Sequence, residues 1–353
     1  MTSAPGIRPN TVVNDYSTLL RSVRDAGLLR RRRGFYVGVF SVLLLLLAVT
    51  WTGFFLVGTS WLQLLVAAVL GIVLTQFALL AHEAAHHQVF ASRGANDWFG
   101  RLLGLVLVGI SFAYWVDKHG RHHAHPNVVG VDPDIETGVI AFHPAAASAR
   151  HGFMAAVTRR QGYLLFPLLP FLGAALPVDS YRYLCRRAPI RHRWLEISAL
   201  TVRLGLYLGV VFLILPAGLA ISFLAVQTGI FGFYMGLSFA PNHKGMPLLS
   251  KDQRLDFLRR QVLTSRNITG GSVVTALMGG LNHQVEHHLF PDMPRPHLRA
   301  ARRIVRDYCA ENRITYTETS LLSSYGILVR YLNRVGLREA DPFECPLSTQ
   351  YRP

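Results

Sequence analysis

Eleven of the 15 histidines of this 353-residue chain fall in four short stretches: HEAAHH at 82–87, HGRHHAH at 119–125, the single His243 of PNHKG, and HQVEHH at 283–288. On a helix, His82 and His86 share a face, as do His119, His122 and His123. Side chains three or four apart have Cβ atoms about 6 Å from each other. Imidazoles placed this way can converge on one ion, or on neighbouring ions, without bending the backbone. Imidazole suits iron, zinc, copper or nickel. Local polarity of a helix surface would explain one such cluster but not four. Eight or more imidazoles also exceed the roughly four to six ligands that one ion takes, so two metals are expected.

A histidine that ligates a metal usually donates its other ring N–H to a carboxylate or carbonyl. Glu83, Asp117, Asp132, Asp134 and Glu286 lie in or beside the clusters and are candidates for that part. His143, His151, His192 and His297 stand alone and read as ordinary surface or core residues. The three cysteines, Cys185, Cys309 and Cys345, are too widely separated to form a disulfide framework or a zinc or iron–sulfur pattern. No Ser-His-Asp arrangement or glycine-rich phosphate loop competes for the chemistry.

The elements that position these histidines are apolar. Half of the chain is hydrophobic and only 16% is charged, against about 25% in soluble domains. From Gly34 to Ala81 there is no Asp, Glu, Lys or Arg, and the same holds from Leu204 to His243. Each run is long enough for two membrane helices of about 20 residues. The first breaks at Gly58-Thr59-Ser60 and the second at Pro216-Ala217-Gly218. Transmembrane helices are therefore expected near 35–57, 61–81, 197–215 and 219–240, paired as two hairpins.

Neither tight turn is charged, whereas the flanks carry Arg30 to Arg33, Arg93, Arg101, Lys118, Arg121, Arg182, Arg186, Arg187, Arg191, Arg193, Lys244 and Lys251. The positive-inside rule then puts both termini and the long connections in the cytoplasm. The histidines follow each hairpin on that same side. Residues 102–116 and 161–178, the latter with Pro167, Pro170 and Pro177, are expected to be interfacial or re-entrant helices. The fold expected is all-α and integral to the cell membrane: four transmembrane helices in two hairpins, one or two interfacial helices, and a cytoplasmic helical cap holding the metal site. Residues 1–34 form a cytoplasmic N-terminal segment, 35–310 the main domain and 311–353 a cytoplasmic tail. The net charge of +16 reads as an orientation signal and as attraction for anionic lipid, thioester phosphates or an acidic redox partner, not for nucleic acid.

H-x3-H-H at 82–87, H-x2-H-H at 119–123 and Q-x2-H-H at 284–288 resemble the three histidine boxes of the membrane fatty acid desaturases. The flanks KHGRHHAHPN at 118–127, VDPDI at 131–135, APNHKGMP at 240–247 and GGLNHQVEHHLFPDMPRPHL at 279–298 resemble theirs too. The resemblance implies an enzyme with two iron ions that uses dioxygen and two external electrons to insert a cis double bond into an acyl chain. It implies His82, His86, His119, His122, His123, His287 and His288 as ligands, with His243 as the family's further histidine. His87, His283, Gln284, Glu83 and Glu286 are possible additional ligands or supporting residues.

The third box begins with Gln284 where many desaturases have histidine. That variant resembles the front-end group, which inserts a double bond between an existing one and the carboxyl end, and the bacterial linoleoyl-CoA-type relatives. Either Gln284 or His283 could supply the missing ligand. No H-P-G-G haem signature of a fused cytochrome b5 precedes the first hairpin, so electrons are expected from a separate ferredoxin or flavoprotein reductase. The acyl headgroup is expected near the arginine-rich stretch from Arg182 to Arg193. Hydroxylation or ketolation on the same scaffold is the alternative chemistry. A metal transporter would line its spans with ionisable ligands, and here the apolar runs hold no histidine before His82 and His243.

Overall fold

The two charge-free stretches become the longest helices. The structure is a computed structural model that describes residues 12–136, 138–186 and 188–337. Arg187, Cys345 and the outer parts of the expected N- and C-terminal segments lie outside the described residues. A short helix, α1 (Val12–Asp25), precedes the first hairpin of α2 (Arg33–Val57) and α3 (Gln63–Ala85). Gly58, at φ +61, turns the chain between them. The Gln63 amide donates to the carbonyls of Phe54 (2.6 Å) and Gly58 (2.8 Å), which α2 leaves unpaired at its end.

The chain then folds back in a bent pair. α4 (Arg93–Arg101) runs into a π-helical turn over Leu102–Val108, reverses at Gly109 (φ +91) and returns as α5 (Phe112–Ala124), the two arms meeting at 113°. Buried Glu196 clamps the elbow. It accepts from the Ser111 hydroxyl (2.5 Å) and the Ala113 N–H (3.2 Å), and it pairs with Arg101 at 3.3 Å. The apolar segment 102–116 is thus a sharp elbow between two helical arms.

Three short helices, α6 (Pro133–Glu136), α7 (Pro144–Ser148) and α8 (Gly152–Thr158), lead to α9 (Gln161–Leu168) and α10 (Leu172–Leu184). A 3-10 turn at Leu169–Phe171 joins these last two and absorbs Pro170, which offers no N–H to an α-helix. The second hairpin is α11 (Arg193–Ile214) and α12 (Ala217–His243).

Five stretches are long and apolar enough to cross a membrane: α2, α3, α9–α10 (Gln161–Leu184), α11 and α12. That is one more than expected, because 161–184 stays helical through its prolines. These helices turn Leu45, Leu56, Leu206 and Leu213 outward, as a lipid-facing surface requires. In lipid, close packing rather than exclusion of water joins helices, and small residues allow it. A Cβ on Gly71 of α3 would lie 2.8 Å from the Gln227 carbonyl of α12, and one on Gly173 of α10 would lie 2.0 Å from that of Thr228.

The remainder is a cap: α13 (Phe257–Leu263), β1 (Asn267–Thr269), α14 (Ser272–Leu277), α15 (Gln284–Leu289), α16 (Arg295–Glu311), β2 (Glu318–Ser320) and α17 (Leu321–Gly336). The strands pair in parallel, Ile268 opposite Thr319. α16 is amphipathic and buries Leu298, Ala301, Val305 and Cys309 against Val285 and Leu289 of α15 and Leu19 and Val23 of α1. Each large apolar side chain buried here contributes roughly 1.5–3 kcal/mol.

One ion pair ties the cap to the first hairpin. Arg295 Nε donates to Glu83 Oε1 at 2.8 Å, and its Nη2 donates to Oε2. Tyr36 donates to Glu83 at 3.2 Å and accepts the Arg295 N–H at 3.1 Å. Both charged side chains are buried. Arg295→Ala strands a buried carboxylate, so a loss of about 3–5 kcal/mol is expected. Thermal unfolding in detergent measures it, and the double variant Glu83→Gln/Arg295→Met should recover most of the loss.

Candidate metal centre

Four helix ends deliver the histidines. α3 carries His82 in its last turn and ends on His86 as its C-cap. α5 carries His119, His122 and His123 toward its own end, α12 ends on His243, and α15 holds His287 and His288. The end of α12 needs support, because Pro241 lies in its final turn. Arg266 gives it: the guanidinium, 1% exposed, donates to the carbonyls of Pro241 (3.0 Å) and Lys244 (2.9 Å). A buried cation at a helix C-terminus also complements the dipole. α15 is launched by Gly279 and Gly280, at φ +59 and +85.

The eight histidines expected as ligands come together in two groups. Ring nitrogens of His82, His86, His119, His123 and His287 lie within 4.8 Å of one another, and so do those of His122, His243 and His288. In the first group, His119 Nε2 is 2.9 Å from His82 Nε2 and 3.1 Å from His123 Nε2. Adjacent ligands at about 2.1 Å from a shared ion would be separated by about 3 Å, so the donor set fits a metal. The Nε2 atoms of His86, His287 and His288 are buried and have no hydrogen-bond partner among the described residues, which a metal would supply.

Burial also disfavours the charged form of His86, His287 and His288. It pushes His86 down to about 3, with smaller contributions from His87 and His122. It lowers His287 and His288 too, their neighbouring imidazoles adding to the effect. A neutral ring keeps the lone pair that a metal needs.

The second group is held from behind. His122 Nδ1 donates to both oxygens of Asp132 at 3.0 Å, His243 Nδ1 to the Thr264 carbonyl at 2.9 Å, and His288 Nδ1 to Gln261 Oε1 at 2.9 Å. Each bond fixes the tautomer and leaves the Nε2 lone pair turned away from the supporting residue. The Gln284 amide lies 2.8 Å from His243 Nε2, so Gln284, rather than His283, reaches this group. Trp115 stacks on His119 at 5.1 Å, and Phe239 lies 5.8 Å from His82. An apolar pocket beside His82, lined by Ala78, Ala81, Gly104, Ile110 and Met235 among others, opens next to the first group.

The remaining candidates lie outside the two groups. His87, at φ +57, faces Asp97 at 3.1 Å. Glu83 is taken by Arg295. Glu286 accepts from Tyr316 (2.6 Å) and Asn267 (2.7 Å), and burial pushes its carboxyl up to about 7 against those bonds. His283 is buried outside both groups, its imidazole pushed down to about 4 by burial and by Arg302 and Arg299. Among the acids, Asp132 supports His122, Asp134 pairs with Lys118, and Asp117 pairs with Arg121 at the surface. Sequence reasoning missed Gln261, Thr264 and Arg266, which lie outside the histidine stretches and carry no pattern of their own.

The profile of the fatty acid desaturase family matches residues 59–320. The chain belongs to the fatty acid desaturase family. It is 27% identical over 337 residues to the Delta(6)-fatty-acid desaturase fat-3 of Caenorhabditis elegans, covering 92% of this chain and 75% of that one. It is 26% identical over 351 residues to a Delta(8)-fatty-acid desaturase of Helianthus annuus, covering 94% and 75%. It is 28% identical over 284 residues to an acyl-lipid (9-3)-desaturase of Physcomitrium patens, covering 78% and 54%. The chain thus spans between about half and three quarters of the length of these relatives. This desaturase is an oxidoreductase with histidine clusters suited to metal.

Asp132→Asn keeps the shape but weakens the acceptor for His122. Metal affinity should fall by roughly 10–100-fold with the fold retained, as read by metal analysis after dialysis against graded chelator.

Proposed function

We propose that the chain holds two iron ions and uses dioxygen and two electrons to introduce a cis double bond into a fatty acyl chain. The observation that carries this reading is the division of eight convergent imidazoles into two adjoining groups, in a chain of this family. In this reading His82, His86, His119, His123 and His287 hold one ion. His122, His243 and His288 hold the other, Gln284 is the hydrogen-bonding neighbour of His243, and His87, His283, Glu83 and Glu286 take no ligand role. When bound, the irons supply the oxidising power that a methylene without an acidic proton demands. Asp132, Thr264 and Gln261 keep the rings aimed, Trp115 and Phe239 keep water away, and the apolar pocket beside His82 seats part of the acyl chain. Insertion between an existing double bond and the carboxyl end is suggested by Gln284 and by the Delta(6) and Delta(8) names of the relatives.

Electrons come, in this reading, from a separate acidic redox protein such as a ferredoxin or a flavoprotein reductase. Supporting this, α16 exposes Arg299, Arg303 and Arg306 on the face opposite the one it packs against α15.

The reading also takes the chain to cross the cell membrane four times, with the site and both termini in the cytoplasm. The ends of α3 and α12 meet at one site, so the chain after α3, α11 included, must cross an odd number of times before α12 crosses back. The bent pair leaves from α3 and returns to the histidines, so it adds no crossing. Both ends of 161–184 are tied to the site's side. The Gln161 amide donates to the Leu332 carbonyl of α17 at 3.0 Å, and Tyr181 bonds Thr201, in the first half of α11, at 3.1 Å. Only α11 is then left to cross before α12. The basic flanks set the direction.

His122→Ala/His123→Ala is expected to abolish both desaturation and iron binding, measured by product mass spectrometry and metal analysis. Full activity in this variant refutes the ligand assignment. Loss of two hydrogens from the acyl product marks desaturation, whereas gain of an oxygen marks hydroxylation. Single cysteines at Ser60 and Gly218 should react with impermeant reagent from outside the cell, and one at Phe171 should not.

A further inference from the structure

α14 occupies an unusual place for a helix between two histidine stretches. None of its residues is buried; Val273 is 69% exposed and Leu277 51%. Two polar side chains from the apolar helices reach its last carbonyl. Gln76 of α3 donates to the Leu277 carbonyl at 3.1 Å and to the Tyr234 hydroxyl at 2.6 Å, while Tyr234 of α12 donates to the same carbonyl at 2.6 Å. Gln76 ends an outward stripe of α3 formed by Leu65, Val69 and Ile72. Val273 and Leu277 therefore continue the lipid-facing surface of two candidate spans, where exposed apolar side chains are at home.

One layer of apolar side chains separates α14 from the imidazoles. Met278 and Leu79 are buried together with Phe239 packed against them, and Phe239 lies 5.8 Å from His82 and 6.5 Å from His119. The apolar pocket lies beside His82 as well. Glycine pairs, Gly270-Gly271 and Gly279-Gly280, bracket the segment.

We propose that α14 is a portal between α3 and α12, latched by Gln76 and Tyr234, through which the site takes an acyl chain already dissolved in the bilayer. This rests on the desaturase reading above and names the side from which its substrate comes. The chain passes under α14, past Leu79 and Phe239, and reaches the histidines without its methylenes meeting water. Opening breaks few contacts, because α14 has no fully buried side chain, packs inward only through Val274, and is held by the bonds to the Leu277 carbonyl and one from Asn282 to the Thr275 hydroxyl at 3.1 Å.

Two measurements on the full chain in phosphatidylcholine vesicles test this. In the first, Val273→Trp should add fluorescence that is quenched by lipid brominated in mid-chain more strongly than by aqueous acrylamide. The reverse order overturns the portal. In the second, Val273→Asp and Leu277→Asp, both at exposed positions, are assayed with a labelled dienoic acyl chain. It is presented either esterified in the vesicle lipid or as a CoA thioester added from water. KM should rise about tenfold with kcat and bound iron unchanged. The presentation that shows the rise identifies the source, ester or thioester. Unchanged KM for every form that is turned over, or loss of kcat alone, overturns the proposal. Mid-chain quenching in a protein that binds no iron and desaturates neither form would keep α14 in the bilayer while refuting the desaturase reading, and the portal with it.

Discussion

Imidazole lone pairs facing one another across about 3 Å are unstable without a shared partner, and the architecture is built around keeping them there. Neutral rings repel less than charged ones, and burial disfavours the charged form of His86, His287 and His288. Rings free to turn would hydrogen-bond elsewhere, so Asp132, Thr264 and Gln261 pin three of them by Nδ1. The same demand shapes the chain at larger scale. Helix ends can bring ligands to one place only if they stop in the same plane, which is why the apolar helices form hairpins and why the bent pair turns sharply at Gly109.

Buried charge is spent at three joints, each between elements distant in sequence. Glu83 with Arg295 fastens the first hairpin to α16, Glu196 with Arg101 fastens the elbow to α11, and Arg266 fastens the end of α12 to the strand that follows α13. Unpaired, such groups would be costly in an apolar setting; paired, they are directional. Apolar packing alone would let the helices slide by a turn, whereas a guanidinium that must meet two carbonyls, or a carboxylate that must meet a hydroxyl and an N–H, accepts one register.

Much of this was legible in the sequence. The absence of charge from Gly34 to Ala81 and from Leu204 to His243 announces the hairpins, and spacings of three and four announce the histidine faces. What the sequence concealed depends on tertiary contact. The membrane-length helix at 161–184 was obscured by its prolines, because a 3-10 turn can carry a helix past them. The roles of Gln261, Thr264 and Arg266 were hidden because a glutamine, a backbone carbonyl and a buried arginine have no spacing rule. Glu83 and Glu286 sit inside histidine stretches yet face away from the imidazoles, since neighbours on a helix point in different directions.

His122 and His123 are consecutive in the chain but belong to different imidazole groups, and so do His287 and His288. Each of these two consecutive pairs thereby gives one ring to either side, with the planes of His123 and His288 stacked at 4.0 Å. Successive residues on a helix diverge by a fixed angle set by 3.6 residues per turn. The gap between the two groups is therefore gauged by the covalent backbone of two dipeptides. A displacement of α5 or α15 shifts both groups in concert, so the pair behaves mechanically as one unit.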